Sequence, residues 1–242
     1  MKTLLTAAGV ALALLGPLPA MSSDLSEERI KELVYEAIRE NPGIVMEAVE
    51  LLQAQEAEQQ AAAASQVLSA HRDTLENDPN APVIGNPDGD VTVVEFFDYN
   101  CPYCKRAADE VKALMADDGN IRIVYREWPI LGEGSVFAAR AALASRSQGK
   151  YEAFHWALME LKGRADEASV LQAAEKVGLD IDKLWEDMDA PEIEEHIATS
   201  MALTQALGFS GTPSFVIGEA LVPGYVEKKQ LQDLVEKTRA EN

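Results

Sequence analysis

The sequence is poor in the residues that usually hold metals and cross-link small folds, since its 242 residues include only 2 cysteines and 3 histidines. So few cysteines exclude a disulfide framework, and a structural zinc site normally needs four ligands. Basic residues are also scarce, with 21 lysines and arginines against 41 acidic residues and a formal net charge of −20. That charge argues against nucleic acid and anionic membranes as partners, and we interpret it as serving solubility.

The apolar run near the start of the chain, residues 4–15, is too short to span a membrane, which takes about 20 residues. Lys2 precedes this run, and residues 16–20 end it with the small Ala20. The pattern predicts a secretory signal peptide at residues 1–20, cleaved after Ala20, with an uncleaved signal anchor as the alternative. Export brings the cysteines into an oxidising compartment, and we predict a bacterial periplasm.

The two cysteines lie together as Cys101-Pro102-Tyr103-Cys104, between a predicted buried strand at residues 91–97 and a predicted helix. A lone pair at this spacing, where a strand turns into a helix, favours thiol–disulfide exchange. A structural disulfide between them would close so short a loop that it would stabilise little. Binding of monovalent copper by the two thiolates stays open as an alternative.

The predicted helix begins at Pro102, which places Cys101 just before its N-terminus. The free N–H groups and the dipole of that helix end favour a thiolate, so we predict that Cys101 is the nucleophile. Cys104 lies one turn further in, is more enclosed, and is predicted to be the resolving thiol. A stabilised Cys101 thiolate favours the reduced protein, which makes the oxidised form a stronger oxidant.

A second motif, Thr212-Pro213, comes directly before a predicted strand at residues 214–217. A proline that enters a strand removes a hydrogen-bond donor and often marks a cis peptide bond. We expect the cis form, which would leave the backbone groups of Thr212 free to pair with an extended substrate segment. An ordinary trans proline at the start of a strand is the alternative.

Glu95 lies inside the apolar strand at residues 91–97. A buried carboxyl group there would have a raised pKa and could exchange protons with Cys104. The alternatives are that Glu95 faces solvent or pairs with a cation such as Lys105 or Arg126.

Two helices are predicted ahead of these motifs, at residues 27–40 and 44–77, each with apolar residues at helical spacing. Such a stripe must dock on another surface. It could pack on the globular part of its own chain, but we favour self-association, which predicts a homo-oligomer.

The order of the predicted elements indicates an α/β class, namely a thioredoxin-like fold with an inserted helical domain, preceded by an N-terminal helical segment. A βαβ unit covers residues 91–126, a run of helices follows, and a strand at 214–217 leads to a closing helix at 228–240. We therefore divide the chain into the signal peptide at 1–20, the helical oligomerisation segment at 21–78 and the thioredoxin-like domain at 79–242, with the insertion at about 133–208.

The run from Glu95 to Cys104, the helical insertion and Gly211-Thr212-Pro213-Ser214-Phe215 together resemble the DsbA family of periplasmic thiol–disulfide oxidoreductases. The resemblance covers residues 81–240. It implies a nucleophilic Cys101, a resolving Cys104 and a cis Pro213, and it places Glu95 at the family's buried acidic position.

Residues 38–52, which contain Glu40-Asn41-Pro42-Gly43-Ile44, are similar to the N-terminal segment of ScsC-like and Com1-like members. This similarity implies an oligomer and, for some ScsC proteins, an isomerase linked to copper tolerance. Two features depart from the archetypal oxidase of the family: the dipeptide between the cysteines is Pro-Tyr rather than Pro-His, and Thr212 stands where valine is typical.

We therefore predict an enzyme without a cofactor that forms or rearranges disulfides in exported proteins. Its predicted partners are exported proteins with thiols or disulfides and a membrane redox partner. The alternatives are an oligomeric disulfide isomerase of the ScsC type and a copper-binding module that uses the same thiols. A glutathione-dependent enzyme of the same fold is disfavoured by the signal peptide and the second cysteine.

Overall fold

The structure, a computed structural model, describes residues 26–241, without the side chains at positions 57, 60 and 61. The predicted signal peptide at 1–20 lies outside the described residues. The chain divides into two compact units, one up to Ala57 and one from Glu58 onward. No helix within residues 26–241 combines the length and the apolar character needed to cross a membrane.

The secondary structure follows the predicted order, with bounds that differ by at most a few residues. The helices are α1 (Glu27–Glu40), α2 (Gly43–Asn77), α3 (Pro102–Asp117), α4 (Glu133–Ala144), α5 (Tyr151–Met159), α6 (Glu167–Lys176), α7 (Ile181–Asp187), α8 (Pro191–Ala206) and α9 (Lys228–Glu241), with a 3₁₀ turn at Ser145–Gln148. The strands are β1 (Val83–Gly85), β2 (Val91–Phe97), β3 (Ile121–Glu127), β4 (Ser214–Ile217) and β5 (Ala220–Pro223).

The first unit contains α1 and the first part of α2. The Ser26 hydroxyl accepts a hydrogen bond from the backbone N–H of Arg29 at 3.3 Å, which caps α1. Asn41 ends the helix, and α2 begins after Pro42. In the described chain α1 contains no buried residue, and its large apolar side chains Ile30, Leu33, Val34 and Tyr35 are exposed.

The second unit is built on a five-stranded sheet with the order β1-β3-β2-β4-β5. The central strand β2 runs parallel to β3 and antiparallel to β4, while β1 and β5 pair antiparallel at the two edges. The parallel connection through α3 is the βαβ unit that the sequence predicted. Five helices, α4 to α8, occupy the chain between β3 and β4, which confirms the predicted α/β fold with a helical insertion and an N-terminal helical segment.

Both faces of the sheet are covered. Alternate residues of β2 point to opposite faces, so Val93 and Phe97 pack with α3, α5 and α9, while Val94 and Phe96 face the other way. The second face is completed by Leu203 and Leu207, at the end of α8, and by Leu68 and Leu75 from the last part of α2. The predicted segment 21–78 thus includes side chains that belong to the core of the second unit.

A buried ion pair fastens the end of α2 to this core. Arg126 on β3 is fully buried, and its Nη1 atom lies 2.6 Å from the Oδ2 atom of Asp78. The same guanidinium donates to the carbonyl oxygen of Thr74 in the last turn of α2. Removal of either partner would leave the other as a buried charge without a counter-charge, which is strongly destabilising. The ion pair therefore holds the end of α2 in one place.

We predict that Leu68→Ala lowers the free energy of unfolding by about 2–5 kcal/mol, because it opens a cavity in the core under the sheet. Urea unfolding followed by circular dichroism measures the change. Met201→Ala on α8, whose side chain is exposed, is the control and should stay within about 0.5 kcal/mol of the wild type. Equal effects of the two substitutions would mean that α2 does not contribute to this core.

Candidate active site

Cys101 occupies the N-cap position of α3, with an extended backbone, and Pro102 is the first residue of the helix. The carbonyl oxygen of Cys101 accepts the first helical hydrogen bond, from the N–H of Lys105 at 3.1 Å. Both cysteines are free thiols, so the structure represents the reduced protein. The helix N-terminus therefore directs its unpaired N–H groups toward the sulfur of Cys101, as the sequence predicted.

Asp98 and Asn100, which sequence reasoning missed, hold the loop between β2 and Cys101. The Asp98 carboxylate accepts hydrogen bonds from three backbone N–H groups, those of Asn100 at 2.7 Å, Ile130 at 2.8 Å and Leu131 at 2.9 Å. The contacts to residues 130 and 131 tie the cysteine loop to the chain that leads into the helical insertion. The sequence feature that could have pointed to this role is the pair of polar residues between a buried strand and the cysteines.

The Asn100 side chain makes the second tie to the insertion. Its amide nitrogen donates to the hydroxyl of Ser135 at 3.1 Å and to the carbonyl oxygen of Ala165 at 3.2 Å. Its amide oxygen accepts from the N–H of Ala165 at 2.6 Å. Gly134 leaves the space for this approach, because a Cβ atom there would lie 2.1 Å from the Ala165 carbonyl oxygen.

Thr212 and Pro213 lie beside the cysteine pair, as predicted. The Thr212–Pro213 peptide bond is cis. The Sγ atom of Cys101 lies 3.3 Å from the carbonyl oxygen of Thr212. The Pro213 carbonyl oxygen accepts a hydrogen bond from the N–H of Gly224 at 2.9 Å, which holds the loop against the end of β5. The fold thus brings together two motifs that are more than a hundred residues apart.

The two thiols have opposite electrostatic environments. The pKa of Cys101 is lowered to about 6, chiefly by a hydrogen bond from the Cys104 thiol, then by Thr212 and by the backbone N–H groups of Cys104 and Tyr103. The pKa of Cys104 is raised well above its ordinary value by burial and by the hydrogen bond to Cys101 and the charge there. At neutral pH, Cys101 is therefore a thiolate and Cys104 a thiol.

Glu95 is buried, with only 1% of its surface exposed. It aligns with Tyr125 on β3 and Phe215 on β4, on the sheet face that packs against α3. Burial, and next the negative charge of Cys101, raise its pKa to about 8. Within the described residues neither carboxylate oxygen of Glu95 has a hydrogen-bond partner.

The alternatives considered for Glu95, exposure to solvent and an ion pair, are not found. The Lys105 ammonium group donates instead to the carbonyl oxygens of Leu161, at 2.6 Å, and Gly163, at 3.0 Å. Arg126 points to the opposite face of the sheet and binds Asp78. Strand alternation separates Arg126 from its neighbour Tyr125, which shares the face of Glu95.

One aromatic side chain of the motif is available to other molecules. Tyr103 is 56% exposed, and the guanidinium of Arg106 lies 5.8 Å from its ring centre and 4.5 Å from that of Tyr225. Tyr99, which precedes the cysteines, is buried. Residues 26–241 contain no cluster of three or more histidine, cysteine or acidic side chains suited to a metal ion.

Comparison with known proteins places the chain in a family. The family model described as "DSBA-like thioredoxin domain" matches residues 92–236, which include both cysteines and the cis proline. The chain belongs to this family. A crystal structure of a thioredoxin-like oxidoreductase from Silicibacter pomeroyi DSS-3 is 69% identical, covers 70% of this chain and 98% of its own, and superposes with a TM-score of 0.69.

The N-terminal region matches a second model, the "Copper resistance protein ScsC N-terminal domain", over residues 27–59. Proteus mirabilis ScsC, in a crystal structure of a transitional conformation, is 32% identical, covers 89% of this chain and 98% of its own, and has a TM-score of 0.69. These matches confirm the resemblance to ScsC-like members of the DsbA family.

Curated relatives include a much longer protein. The Na(+)/H(+) antiporter NhaA 1 of Salinispora arenicola is 34% identical over 143 residues, which are 58% of this chain. The aligned part is 22% of that protein, so the chain spans about a fifth of the length of this relative.

We predict that alkylation of Cys101 by iodoacetamide reaches half its maximal rate near pH 6, because only the thiolate reacts. Cys104→Ala should move this midpoint upward, since it removes the hydrogen bond that contributes most to the low pKa. Mass spectrometry of quenched samples measures the rates. Cys101→Ala is the control, and its buried Cys104 should react slowly at neutral pH. An unchanged midpoint in Cys104→Ala would assign the low pKa to Thr212 and the helix end instead.

We predict that Glu95 makes the reduced protein less stable as the pH rises. Because its pKa is raised from 4.5 to about 8, the folded protein keeps a proton that the unfolded chain releases in that range. The contribution of this group to the free energy of unfolding is fully present below about pH 4.5 and decreases as the pH rises to about 8. Glu95→Gln removes this dependence. The free energy of unfolding of the variant, relative to that of the wild type, should therefore rise by on the order of a few kcal/mol between pH 5 and pH 8.

Urea unfolding of the reduced proteins at both pH values measures this difference. Glu175→Gln, an exposed position on α6, is the matched control and should keep the pH dependence of the wild type. If Glu95→Gln also kept it, Glu95 would be ionised in the folded protein.

Proposed function

We propose that this protein is a periplasmic thiol–disulfide oxidoreductase that forms or rearranges disulfides in exported proteins. The observation that carries the proposal is the placement of the two thiols: Cys101 lies at the N-terminus of α3 with its Sγ atom 3.3 Å from the carbonyl oxygen of Thr212, and Cys104 is fully buried in the first turn. A pair of this kind at a helix N-terminus has one sulfur that attacks and leaves readily and one that resolves the intermediate.

In the reducing direction, the Cys101 thiolate attacks a disulfide of the client protein. One client sulfur leaves as a thiolate and the other becomes bonded to Cys101. Cys104 then attacks this mixed disulfide, loses its proton and releases the second client thiolate, so two electrons reach the client and the enzyme becomes oxidised. The reverse sequence transfers the disulfide to a client dithiol.

Glu95 is the proposed acceptor of the Cys104 proton. The carboxyl group is buried on the face of the sheet that carries the cysteines, and its charge acts on the pKa of Cys104. The charge of Cys101 is one of the two causes that raise the pKa of Glu95, and it is lost in the mixed disulfide, so the carboxyl group ionises more readily at the step in which it accepts the proton. The role is that of a general base for the resolving step.

The loop with Thr212 and Pro213 is the proposed docking edge for the client. The Thr212 carbonyl oxygen lies beside Cys101. An extended client segment that pairs with this backbone would bring its own sulfur toward Cys101. Because such pairing uses main-chain hydrogen bonds, it would be compatible with many client sequences. The exposed ring of Tyr103 borders the same region.

A second candidate function is disulfide isomerisation by an oligomer, which the match of residues 27–59 to the ScsC N-terminal domain favours. The first unit also exposes several large apolar side chains, which a second copy of the chain would bury. They are Ile30, Leu33, Val34, Tyr35, Ile44, Val45, Met46, Val49, Leu51 and Leu52. Several active sites around one misfolded client would favour rearrangement, and assembly would keep a membrane oxidase from the cysteines.

The periplasmic location rests on the predicted signal peptide and on the kind of chemistry. A membrane redox partner would restore whichever oxidation state the cycle consumes. The description of the matched N-terminal domain as a copper resistance domain makes copper binding by Cys101 and Cys104 the competing use of the same thiols.

We predict that the mature protein self-associates and reactivates scrambled ribonuclease. Val34→Asp combined with Leu52→Asp should yield a monomer, because each substitution places a charge in the exposed apolar surface of the first unit. The monomer should lose isomerase activity and oxidise reduced ribonuclease faster. Light scattering and the two refolding assays on the same samples measure these changes.

Gln53→Asp combined with Gln55→Asp adds the same charge at polar positions and is the control, which should remain associated. A wild-type monomer that only oxidises reduced substrate would exclude the isomerase. Tight binding of monovalent copper by the reduced protein, lost in Cys104→Ser, without turnover in either refolding assay, would favour the copper-binding function.

A further inference from the structure

The outer side of α3, just beyond the cysteines, carries a cation that lies against two aromatic rings. The guanidinium of Arg106 lies 4.5 Å from the ring centre of Tyr225 and 5.8 Å from that of Tyr103. Both distances allow cation–π attraction, which acts within about 6 Å of a ring centre. We call these three side chains the Arg106 platform. The exchange of disulfides between the two cysteines and a client requires no charge at this position.

The Arg106 platform borders the loop on which the client is proposed to dock. Tyr225 directly follows Gly224, whose N–H donates a hydrogen bond of 2.9 Å to the carbonyl oxygen of Pro213. Tyr103 is one of the two residues between the cysteines, and its side chain is 56% exposed. Arg106 therefore bridges the start of α3 and the loop that carries the cis proline.

A carboxylate fixes the ring of Tyr225 beside the guanidinium. The Tyr225 hydroxyl donates a hydrogen bond of 2.8 Å to the Oε1 atom of Glu110. The backbone N–H of Lys228, at the start of α9, donates to the Oε2 atom of the same carboxylate at 3.0 Å. These two hydrogen bonds are the main causes of the lowered pKa of Glu110, and the charge of Arg106 adds to them. Glu110 thus positions the ring, while both of its oxygens already have donors.

No carboxylate of residues 26–241 lies within 4.0 Å of the Arg106 guanidinium, and the side chain is exposed. A guanidinium that stacks on an aromatic ring keeps its N–H edge open, and that edge matches the two oxygens of a carboxylate. The contact with the rings restricts the side chain beforehand, which lowers the entropy cost of binding. These features suit a carboxylate that comes from another molecule.

The Arg106 platform lies within reach of a client residue near the attacked cysteine. Arg106 is five residues after Cys101, which corresponds to a rise of about 7.5 Å along a helix. In an extended client segment, side chains two residues apart point to the same face and lie about 7 Å apart. A residue two positions from the client cysteine therefore points to the same side as its sulfur, at a separation similar to that rise.

We propose that Arg106 is a specificity-determining residue, which binds the carboxylate of an aspartate or glutamate two positions from the cysteine of an extended client segment. The inference rests on the proposed thiol–disulfide exchange and names the class of client that this site takes. The formal net charge of −20 disfavours acidic clients at long range. A preference for an acidic residue at this one position therefore requires a local contact, which the Arg106 platform supplies.

Arg106 is separate from the groups that set the reactivity of the nucleophile. The pKa of Cys101 is lowered chiefly by the hydrogen bond from Cys104, and then by Thr212 and the backbone N–H groups of the first turn of α3. Arg106 is not among these main causes. A change at Arg106 is therefore expected to alter which client is preferred, and a comparison of clients within one variant isolates that effect.

The test uses peptides that differ in one side chain. Each peptide has one cysteine, activated as a 2-pyridyl disulfide, and carries glutamate, glutamine or lysine two positions before or after it. The Cys101 thiolate of the reduced full-length protein attacks the peptide sulfur and forms a new disulfide. The electron pair of the broken bond leaves on pyridine-2-thiolate, which takes a proton from water. Absorbance of the resulting pyridine-2-thione gives the rate, and mass spectrometry of quenched samples identifies the mixed disulfide and the oxidised protein.

At one of the two peptide positions, we expect the wild type to react about three- to fivefold faster with the glutamate peptide than with the glutamine peptide. Arg106→Gln should abolish this ratio, and Arg106→Glu should favour the lysine peptide instead. Arg106→Lys should keep only part of the ratio, because an ammonium group lacks the planar fork that binds both carboxylate oxygens. A ratio of two rates within one variant cancels any general loss of activity.

Lys176→Gln removes a positive charge at an exposed position in the last turn of α6 and is the matched control, which should keep the wild-type ratio. Equal wild-type rates with the glutamate and glutamine peptides at both positions would overturn the role of Arg106. A preference for glutamate that persists in Arg106→Gln would overturn it as well. Either result leaves the exchange chemistry intact, whereas a wild-type protein that reacts with none of the peptides would refute the proposed function itself.

Discussion

The hydrogen bond from the Cys104 thiol to the sulfur of Cys101 is the interaction on which the chemistry of this protein depends. It contributes most to the low pKa of Cys101, and the same contact helps to keep Cys104 protonated. Burial of Cys104 and the helix N-terminus beside Cys101 act in the same direction on the two thiols. Burial of Cys104 strengthens the contact, since a hydrogen bond to a charged sulfur is worth more where water is excluded.

Residues on two sides hold the Cys101 loop in place. Asp98 and Asn100 bind backbone groups at the start of the insertion and at Ala165, while Thr212 approaches Cys101 from the other side. The thiol pair therefore lies at the junction between the sheet and the inserted helices.

Much of the fold could be predicted from the sequence because helical and strand periodicity are local properties. The helices and strands have nearly the predicted bounds, and the cis bond before Pro213 was expected. Glu95 could not be decided in advance, because β2 is apolar on both faces and its pattern does not tell a buried carboxylate from a paired one. Asp98 and Asn100 were missed because short polar residues are common in loops. Their role depends on hydrogen bonds to groups that are distant in the sequence.

The sequence by itself determined the cysteine pair and its strand–helix context, the family, and the helical character of the N-terminal segment. Each of these depends on residues that are close together in the sequence. The tertiary structure alone decided the surroundings of Glu95, the pairing of Arg126 with Asp78, and the alignment of Tyr125 with Glu95 beside His155. These depend on desolvation and on contacts between residues far apart in the chain. Such effects arise only when the folded core excludes water and brings those side chains together.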